Sequence, residues 1–374
     1  MKFLNFTNFK SLFSVFTINF KIIFFKLRRK KILFFYSPSQ RSNKVPSHIE
    51  YLFQNFEKDF IIIFGFNSKN ILKNNNYYFI KPFFLKLIYN VDVFLDNICV
   101  WSFTNGSTRV LISHDLYYTP LSNTEKERLI LQKMTNYDYI LLSNKKNIEA
   151  LKFFFDKYNF TNKLEIPKLI ETGYIKLDFL KQSLFKTSSD KKNIIIAPTN
   201  QNTFNELTLF SNLEEIIKIL LVSTNSNVIL RPHPANRENE LILNLKNKYN
   251  NNQKFIFDTS DNYLDTYINT TCMITDISGT AYTYAFLTKN PVIFYSVNEK
   301  SVDDIDFEKV SFFKDRSKIG VIVENISELQ KAILNINSIH LDKKESIDLL
   351  EKEMVFLGNS KNQIKKIINQ IVKN

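Results

Sequence analysis

The sequence predicts an α/β protein with two domains, each built around a parallel β-sheet. Short apolar runs rich in Ile, Val and Phe alternate with helical stretches along most of the 374 residues. Uninterrupted apolar strands between helices are typical of parallel sheets that are covered on both faces. The polar segment 181–192 interrupts the alternation and is the best linker candidate in the chain. We therefore expect two Rossmann-like domains that face each other across a cleft.

The first element, at residues 1–30, has the pattern of a surface helix. Its phenylalanines recur at three- and four-residue steps, which places on one helical face Phe6, Phe9, Phe13, Phe16 and Phe20. A basic cluster follows at 26–31. No uncharged apolar run reaches the ~18–20 residues that span a bilayer, and no small-residue cleavage site of a secretory signal is present. The pattern predicts an amphipathic helix on an anionic membrane surface, and the alternative is a helix packed on the first domain.

Two series of strands follow, one in each predicted domain. In the first domain, residues 31–180, we expect strands at 32–36, 60–64, 78–80, 91–95, 109–113 and 139–143, and helices at 123–135 and 145–159. In the second domain, residues 190–374, we expect strands at 193–197, 227–230, 254–257, 272–275, 292–295 and 319–323, and helices at about 203–222, 237–249, 280–289 and 326–336. Ligands of such sheets bind at the carboxyl ends of the strands.

His114 stands at one of these strand ends, directly after the apolar run at 110–112. A histidine at that position would face the predicted cleft, where a general base is needed to activate a hydroxyl. The alternative is a loop histidine with a capping role. We expect His114 to be catalytic.

The segment Arg231-Pro232-His233-Pro234 follows a strand in the second domain. Each proline fixes its own φ angle and favours an extended conformation for the residue before it. Arg231 is suited to phosphate because its planar guanidinium makes paired contacts, and His233 could neutralise charge on a leaving phosphate. The alternative is a structural turn that only ends the strand. We expect His233 to be catalytic and Arg231 to bind the donor phosphate.

The segment Asp276-Ile277-Ser278-Gly279-Thr280 joins a predicted strand to a predicted helix. A helix that begins with N–H groups, hydroxyls on both sides and a glycine for close approach suits a phosphate. The alternative is an ordinary helix cap. We therefore expect Ser278, Gly279 and Thr280 to bind the donor phosphate, with Asp276 and Thr199 in supporting positions.

Net charge and the numbers of cysteine and histidine residues indicate the kind of partner, the cellular compartment and whether a metal is expected. The net charge of +13 implies an anionic partner. The two cysteines, Cys99 and Cys272, lie in apolar strand-like segments, which suits a reducing compartment. Neither their spacing nor that of the four histidines reads as a metal site. We expect no metal and no cofactor.

The ordered motifs of the chain resemble the CDP-glycerol:polyglycerophosphate glycerophosphotransferases of teichoic acid and capsule synthesis. The resemblance rests on Gly173-Tyr174-x-x-x-Asp178, Ile196-Ala197-Pro198-Thr199, Leu230-Arg231-Pro232-His233-Pro234 and Thr275-Asp276-x-Ser278, and it covers roughly residues 100–300. It implies a GT-B-type transferase, peripheral at the inner membrane face, that binds its donor pyrophosphate in the second domain. It also implies roles for His114 and His233 as the two family histidines.

Three positions depart from the family pattern. Asp115 replaces a glycine after the first histidine, and Thr119-Pro120 stands three residues later than the family places it. Gly279 replaces the second serine of the turn. An acidic residue common in the following helix is absent, and Tyr282 and Tyr284 occupy that region. The identity of donor and acceptor therefore stays open.

Three functions are compatible with these observations. The leading hypothesis is a cytoplasmic, membrane-peripheral transferase that moves glycerol phosphate, or a similar polyol phosphate, from a CDP-activated donor to a hydroxyl of a surface polysaccharide or lipid-linked acceptor and releases CMP. A second is a GT-B glycosyltransferase that uses a nucleotide sugar for capsule or lipooligosaccharide synthesis, since Asp276-x-Ser278-Gly279-Thr280 is also similar to nucleotide-sugar epimerases. A nucleic-acid-binding protein is disfavoured, because the lysines are scattered and no base-reading module is recognisable.

Overall fold

Two parallel β-sheets form the framework of the chain. The computed structural model describes residues 6–38, 45–54, 56–68, 76–113, 115–117, 124–160, 166–182, 193–201, 208–260, 263–299, 310–354 and 356–373. The strands are β1 (Lys31–Ser37), β2 (Phe60–Phe66), β3 (Tyr77–Phe79), β4 (Val93–Asp96), β5 (Thr108–Ile112), β6 (Tyr139–Leu142), β7 (Lys168–Glu171), β8 (Asn193–Ile196), β9 (Asn227–Leu230), β10 (Phe255–Phe257), β11 (Thr270–Thr275), β12 (Val292–Tyr295) and β13 (Gly320–Val323).

Helices alternate with most of these strands. The α-helices are α1 (Phe6–Leu27), α2 (Ser47–Phe53), α3 (Thr124–Met134), α4 (Lys145–Lys157), α5 (Ile175–Gln182), α6 (Leu213–Ser223), α7 (Glu240–Tyr249), α8 (Leu264–Ile268), α9 (Thr280–Thr288), α10 (Ser311–Ile319), α11 (Ile326–Leu334), α12 (Ile336–Lys352) and α13 (Ser360–Ile371). Short 3-10 helices lie at Pro82–Leu87, Leu209–Asn212 and Pro234–Asn236.

The first sheet has the strand order β3-β2-β1-β4-β5-β6-β7, and its strands are parallel. The order reverses between β1 and β4, which is the switch point of a doubly wound sheet. Leu33 and Phe35 of β1 are fully buried, and they share one apolar core with Val93 and Val110 on the neighbouring strands. The sheet belongs to a compact unit formed by residues 1–115, 125–179 and 355–374.

The second sheet has the order β10-β9-β8-β11-β12-β13 and is also parallel. Its order reverses between β8 and β11. Ile196, Leu230 and Ile274 are fully buried in the core of this unit, which comprises residues 116–124 and 180–354. Two parallel sheets in an α/β chain confirm the predicted fold class.

The C-terminal helix α13 packs in the first unit, so the compact units differ from the predicted ranges 31–180 and 190–374. Ile364 and Ile368 are fully buried in the core of the first sheet. The Asp178 carboxylate accepts hydrogen bonds from the backbone N–H groups of Gly358 (2.5 Å) and Ser360 (2.8 Å) at the start of the helix. These contacts attach the end of the chain to the unit in which it begins.

Helix α1 packs on the first unit but is apolar on two sides. Val15, Ile18 and Ile22 are buried against that unit. The opposite face exposes a row of phenylalanines, at 62, 68, 80 and 72% for Phe9, Phe13, Phe16 and Phe20. An amphipathic helix is therefore not confirmed, because apolar side chains occupy the packed and the exposed faces alike. In the described part of the chain, no helix combines the length and the apolar character needed to cross a bilayer.

Polar contacts fix the position of α1. The Asn19 amide donates to the carbonyl of Leu87 (2.8 Å) and accepts from the N–H of Tyr89 (3.2 Å). Near the end of the helix, Lys26 forms an ion pair of 2.7 Å with Asp92. The exposed phenylalanines are thus held on a docked helix.

Candidate active site

Three neighbouring strands of the second sheet end at the same edge and bring the predicted donor-site residues together. The strands β9, β8 and β11 are adjacent and parallel, so their carboxyl ends lie side by side. The segment 231–233 follows β9, 197–199 follows β8 and 276–280 follows β11. The hydroxyl of Thr275 donates to the carbonyl of Ala197 (2.6 Å) and links two of these ends. We call this the donor edge.

Asp276 is the buried centre of the donor edge. Its Oδ1 accepts from the N–H of Thr199 (2.9 Å), and its Oδ2 accepts from the N–H of Leu209 (3.2 Å). Burial raises the pKa of Asp276 to about 6, although backbone N–H donors oppose the shift. The carboxylate therefore joins the end of β8 and the start of a 3-10 helix to the end of β11, which is the supporting position predicted for Asp276 and Thr199.

Asn236 makes a second connection that the sequence motifs did not indicate. Its side chain is buried and donates to the carbonyl of Thr199 (3.0 Å). Its own N–H donates to the carbonyl of His233 (2.8 Å). These two hydrogen bonds therefore connect the loop after β8 to the loop after β9 next to His233.

His233 is exposed, and one of its nitrogens has a local role. Nδ1 accepts from the backbone N–H of Ala235 (3.1 Å) and caps the 3-10 helix at Pro234–Asn236. In a neutral imidazole, an acceptor Nδ1 means that Nε2 carries the hydrogen. The geometry therefore makes His233 Nε2 a hydrogen-bond donor at the donor edge.

Arg231 is held by the loop that follows β10. Its guanidinium forms an ion pair with Asp258 (2.6 Å), donates to the carbonyl of Ser260 (2.8 Å) and lies 5.6 Å from the ring centre of Tyr263. Burial disfavours the Asp258 carboxylate, but hydrogen bonds from Ser260 and Thr266 and the charge of Arg231 outweigh it and lower the pKa of Asp258. A phosphate bound by Arg231 has to share the guanidinium with this loop.

Asp258 could have been found from the sequence by the rule that located the other residues. It directly follows the apolar run Phe255–Phe257, which is strand β10 at the edge of the sheet. The run has only three residues, so the sequence pattern does not mark its end as a site position.

The start of helix α9 is the segment that the sequence predicts to bind the donor phosphate. Gly279 has φ −58° and ψ −20°, which any residue adopts, so the backbone conformation alone does not require glycine. No side-chain cap bonds the first turn of α9, where the N–H of Ala281 donates to the carbonyl of Ser278 (3.0 Å). The hydroxyl of Thr280 shares a 2.6 Å hydrogen bond with Tyr267, a residue that sequence reasoning missed.

Tyr282 and Tyr284, which stand where the family often has an acid, belong to the core. Both are fully buried. The Tyr282 hydroxyl donates to the carbonyl of Phe312, and its ring centre lies 4.4 Å from that of Tyr117. Burial raises the pKa of both phenols. Their core contacts stabilise helix α9. Because both phenols are buried, they are not available as acid–base groups.

In the first unit, the proposed base His114 lies outside the described residues. Its neighbours are at the carboxyl end of β5, next to the end of β6. Ser113 and Ser143 both donate from their hydroxyls to the carbonyl of Asp115, at 3.1 and 3.3 Å. The backbone on both sides of His114 is therefore fixed at a strand end, as the sequence predicts.

The Gly173-Tyr174-x-x-x-Asp178 motif has a structural explanation. Gly173 has φ +85°, a left-handed conformation that favours glycine, just after β7. Asp178, one turn into α5, holds the start of α13. Among the described residues, no group of three or more His, Cys, Asp or Glu side chains is placed to hold a metal ion.

Comparisons with known proteins identify a family and a fold. The sequence profile of a family described as CDP-Glycerol:Poly(glycerophosphate) glycerophosphotransferase matches residues 17–373. The wall teichoic acid polymerase TagF has a similar structure, with a TM-score of 0.64 and 16% identity over 96% of this chain and 98% of that chain. No curated protein sequence matched.

Two epimerase-type structures are similar as well. The S. aureus MnaA–UDP co-structure has a TM-score of 0.61 and 12% identity over 92% of this chain and 97% of that chain. A UDP-GlcNAc 2-epimerase from Methanocaldococcus jannaschii has a TM-score of 0.52 and 14% identity over 92% and 100%. At these identities the solved structures establish a shared GT-B-like fold.

Proposed function

The chain belongs to the CDP-glycerol:poly(glycerophosphate) glycerophosphotransferase family, and we propose that it transfers glycerol phosphate, or a closely related polyol phosphate, from a CDP-activated donor to a hydroxyl of a cell-surface polymer. The acceptor is a surface polysaccharide or a lipid-linked, teichoic-acid-like chain. CMP is the second product.

The observation that carries this proposal is the donor edge. Four features of one sheet edge suit a pyrophosphate: the N–H groups at the start of α9, the Nε2 donor of His233, the guanidinium of Arg231 and the hydroxyl of Ser278. Negative charge at a helix N-terminus is favoured by both the N–H groups and the helix dipole. The profile match over residues 17–373 supports a CDP-glycerol donor.

The reaction breaks one P–O bond of the donor and forms another. The acceptor oxygen attacks the phosphorus that carries glycerol, and the bond between that phosphorus and the oxygen of CMP breaks. His114 accepts the proton of the attacking hydroxyl. His233 Nε2 and the first turn of α9 stabilise the charge that develops on the pyrophosphate oxygens as CMP leaves.

Donor competition tests the proposal. The purified chain is incubated with an equimolar mixture of CDP-glycerol, CDP-ribitol and UDP-N-acetylglucosamine, and the release of CMP and of UDP is measured with a teichoic-acid-like acceptor. We expect CMP release from a CDP-polyol and no UDP release. Release of UDP alone would contradict the proposal.

A nucleotide-sugar transferase is the second candidate, and one observation favours it. Gly279 lacks the hydroxyl of the family's second serine, and the chain shares its fold with a UDP-GlcNAc 2-epimerase, so a nucleotide-sugar donor is the second possibility. UDP release in the same competition would identify this alternative.

Peripheral attachment to the inner face of the cell membrane is part of the proposal. The exposed phenylalanine row of α1 lies beside the basic residues at 26–31. Each basic residue near an anionic membrane contributes about 1 kcal/mol, and salt screens that attraction. We expect the chain to co-sediment with anionic vesicles and less so at high salt. Equal binding to neutral vesicles would contradict the electrostatic part.

A further inference from the structure

A pocket of about 270 Å³ lies in the first unit, away from the strand ends that carry the catalytic proposal. It is lined by Lys86, Trp101, Phe103, Thr104, Asn105, Gly106 and Arg109. Arg109 is at the beginning of β5, whereas Ser113 and Asp115 follow the end of that strand. The pocket is therefore at the opposite edge of the sheet from Ser113 and Asp115.

Aromatic and basic side chains build the pocket. Phe103 and Thr104 are buried, and the Arg109 guanidinium lies 4.9 Å from the ring centre of Phe103 while donating to the carbonyl of Asn136 (3.1 Å). Trp101 is 48% exposed. The space beside Gly106 is open, since a Cβ at that position would meet no atom within 4 Å.

The charges around the pocket favour an anion. Lys86 and Arg109 line it, and the Lys133 ammonium lies 5.6 Å from the ring centre of Trp101. Three carboxylates are near. The buried Asp96 accepts from the hydroxyl of Tyr137, whose ring centre lies 5.1 Å from that of Phe103. Asp138 accepts from the backbone N–H of Arg109 (2.7 Å), and Asp92 is paired with Lys26 and also accepts from the N–H of Ile32. Lys86, Arg109, Lys133 and Lys26 thus carry one more charge than the three carboxylates, which leaves the surroundings of the pocket net positive.

Exposed apolar side chains stand close to the pocket residues in the sequence, and we call them the apolar rim. Large apolar side chains are exposed in the same segments that supply Lys86 and Trp101, namely Phe83, Leu87, Tyr89 and Ile98. Leu87 and Tyr89 are the residues that hydrogen-bond to Asn19 of α1. An apolar rim does not stabilise the binding of a small anion from solution. It does stabilise the binding of an anionic headgroup whose hydrocarbon chains contact the rim.

We infer that this pocket binds the phosphodiester headgroup of an anionic lipid. The inference rests on the peripheral attachment proposed above. The basic side chains bind the phosphate, and the apolar rim meets the lipid chains. Trp101 occupies the boundary between them, because an indole has an apolar body and a polar N–H and is favoured at membrane interfaces.

Trp101 gives a direct readout, because it is the only tryptophan in the chain. Its emission is recorded while the full chain is titrated with vesicles of phosphatidylcholine, with vesicles that also contain phosphatidylglycerol, and with soluble sn-glycerol 3-phosphate. We expect a blue shift with phosphatidylglycerol vesicles, little change with phosphatidylcholine alone, and only a weak response to the soluble phosphate.

A matched pair of variants separates the pocket from general charge. Lys86→Ala removes one basic residue at the pocket, and we expect it to weaken vesicle binding about fivefold. Lys145→Ala removes the same charge at the start of α4, just after β6 ends and hence at the opposite edge of the same sheet. That edge is about 15 Å away, farther than the Debye length, so we expect a change of less than about twofold.

Four results would overturn the inference. The first is unchanged Trp101 emission in a chain that does co-sediment with phosphatidylglycerol vesicles, which would leave the membrane attachment intact. The second is a full response to soluble glycerol phosphate with none to vesicles, which would identify a dissolved ligand. The third is equal weakening by both lysine variants. Absence of co-sedimentation would refute the attachment as well, while CMP release with a water-soluble acceptor reports the transferase independently.

Discussion

His233 combines a structural contact with a proposed catalytic one, and the two can be separated. Nδ1 accepts from Ala235, so the ring caps a 3-10 helix as well as presenting Nε2. Asparagine can replace the capping acceptor but has no group equivalent to Nε2. The two functions of the imidazole therefore respond differently to substitution.

We expect His233→Asn and His233→Ala each to lower turnover by at least about a hundredfold, as befits loss of a charge-stabilising donor. CMP release and thermal unfolding are measured for both variants. His233→Asn should keep the stability of the parent chain. Near-normal CMP release by His233→Asn would show that His233 caps the 3-10 helix and is not needed for catalysis. A similar loss is expected for His114→Ala, whose role rests on the sequence.

Asp276 gives a prediction about pH. Its folded pKa of about 6 lies above the usual 3.8, so the folded state holds a proton that the unfolded state releases between these values. The stability that the protonated carboxyl contributes is present below about pH 4 and is lost as pH rises through 6. Compared with the non-titrating Asp276→Asn, the free energy of unfolding of the parent chain should fall by about 3 kcal/mol over this interval.

Urea unfolding of both chains at pH values between about 4 and 7 measures this difference. A constant difference, or one that grows with pH, would show that burial does not raise the pKa of Asp276 in the folded chain.

Sequence reasoning located the residues of the donor edge but not their partners. Arg231, His233 and 276–280 were found because strand ends of parallel sheets converge. The contacts with Asp258, Asn236 and Tyr267 join segments that are distant in sequence, and no local pattern encodes them. The ion pair between Arg231 and Asp258 matters most for the proposed chemistry, because a bound phosphate has to share the guanidinium with Asp258.

Strands were easier to predict than helices in this chain. The predicted strands coincide with observed ones to within two residues at each boundary, because buried parallel strands form continuous apolar runs. Strand β7 was missed because its residues, Lys168–Glu171, are mostly half-exposed and carry a charge at each end. Helix α13 was not predicted, and its place in the first unit depends on long-range contacts.

Strands β12 and β13 approach so closely at one point that only glycine fits. A Cβ on Gly320 would lie 1.8 Å from the carbonyl oxygen of Val292, its partner in the ladder. We expect Gly320→Ala to lower the free energy of unfolding by at least about 2 kcal/mol, because the strands have to separate. Gly106→Ala meets open space and should cost only the strain of its φ of +70°, about 1 kcal/mol.

Chemical denaturation of the two glycine variants provides the comparison. Equal effects would mean that the β12–β13 contact is not as close as the structure shows.

The whole molecule separates donor chemistry from the elements proposed to meet the membrane. The donor edge lies entirely in the unit of 116–124 and 180–354, whereas α1 and the Trp101 pocket lie in the other unit. The alternation of strands and helices sufficed to predict two parallel sheets. The return of the C-terminal segment 355–374 to the first unit could not be predicted, because it depends on which core Ile364 and Ile368 enter.

Calorimetric titration with CDP-glycerol tests whether the donor binds at the start of α9. Gly279 has a backbone conformation open to any residue, so Gly279→Val adds bulk there without backbone strain. Ser223→Val adds similar bulk at the end of α6, just before β9 begins and hence at the opposite edge of the same sheet. We expect the parent chain and Ser223→Val to bind equally, with and without EDTA, and Gly279→Val to bind at least about tenfold more weakly. Unchanged affinity in Gly279→Val would place the donor elsewhere, and loss of binding with EDTA would indicate a metal-dependent site.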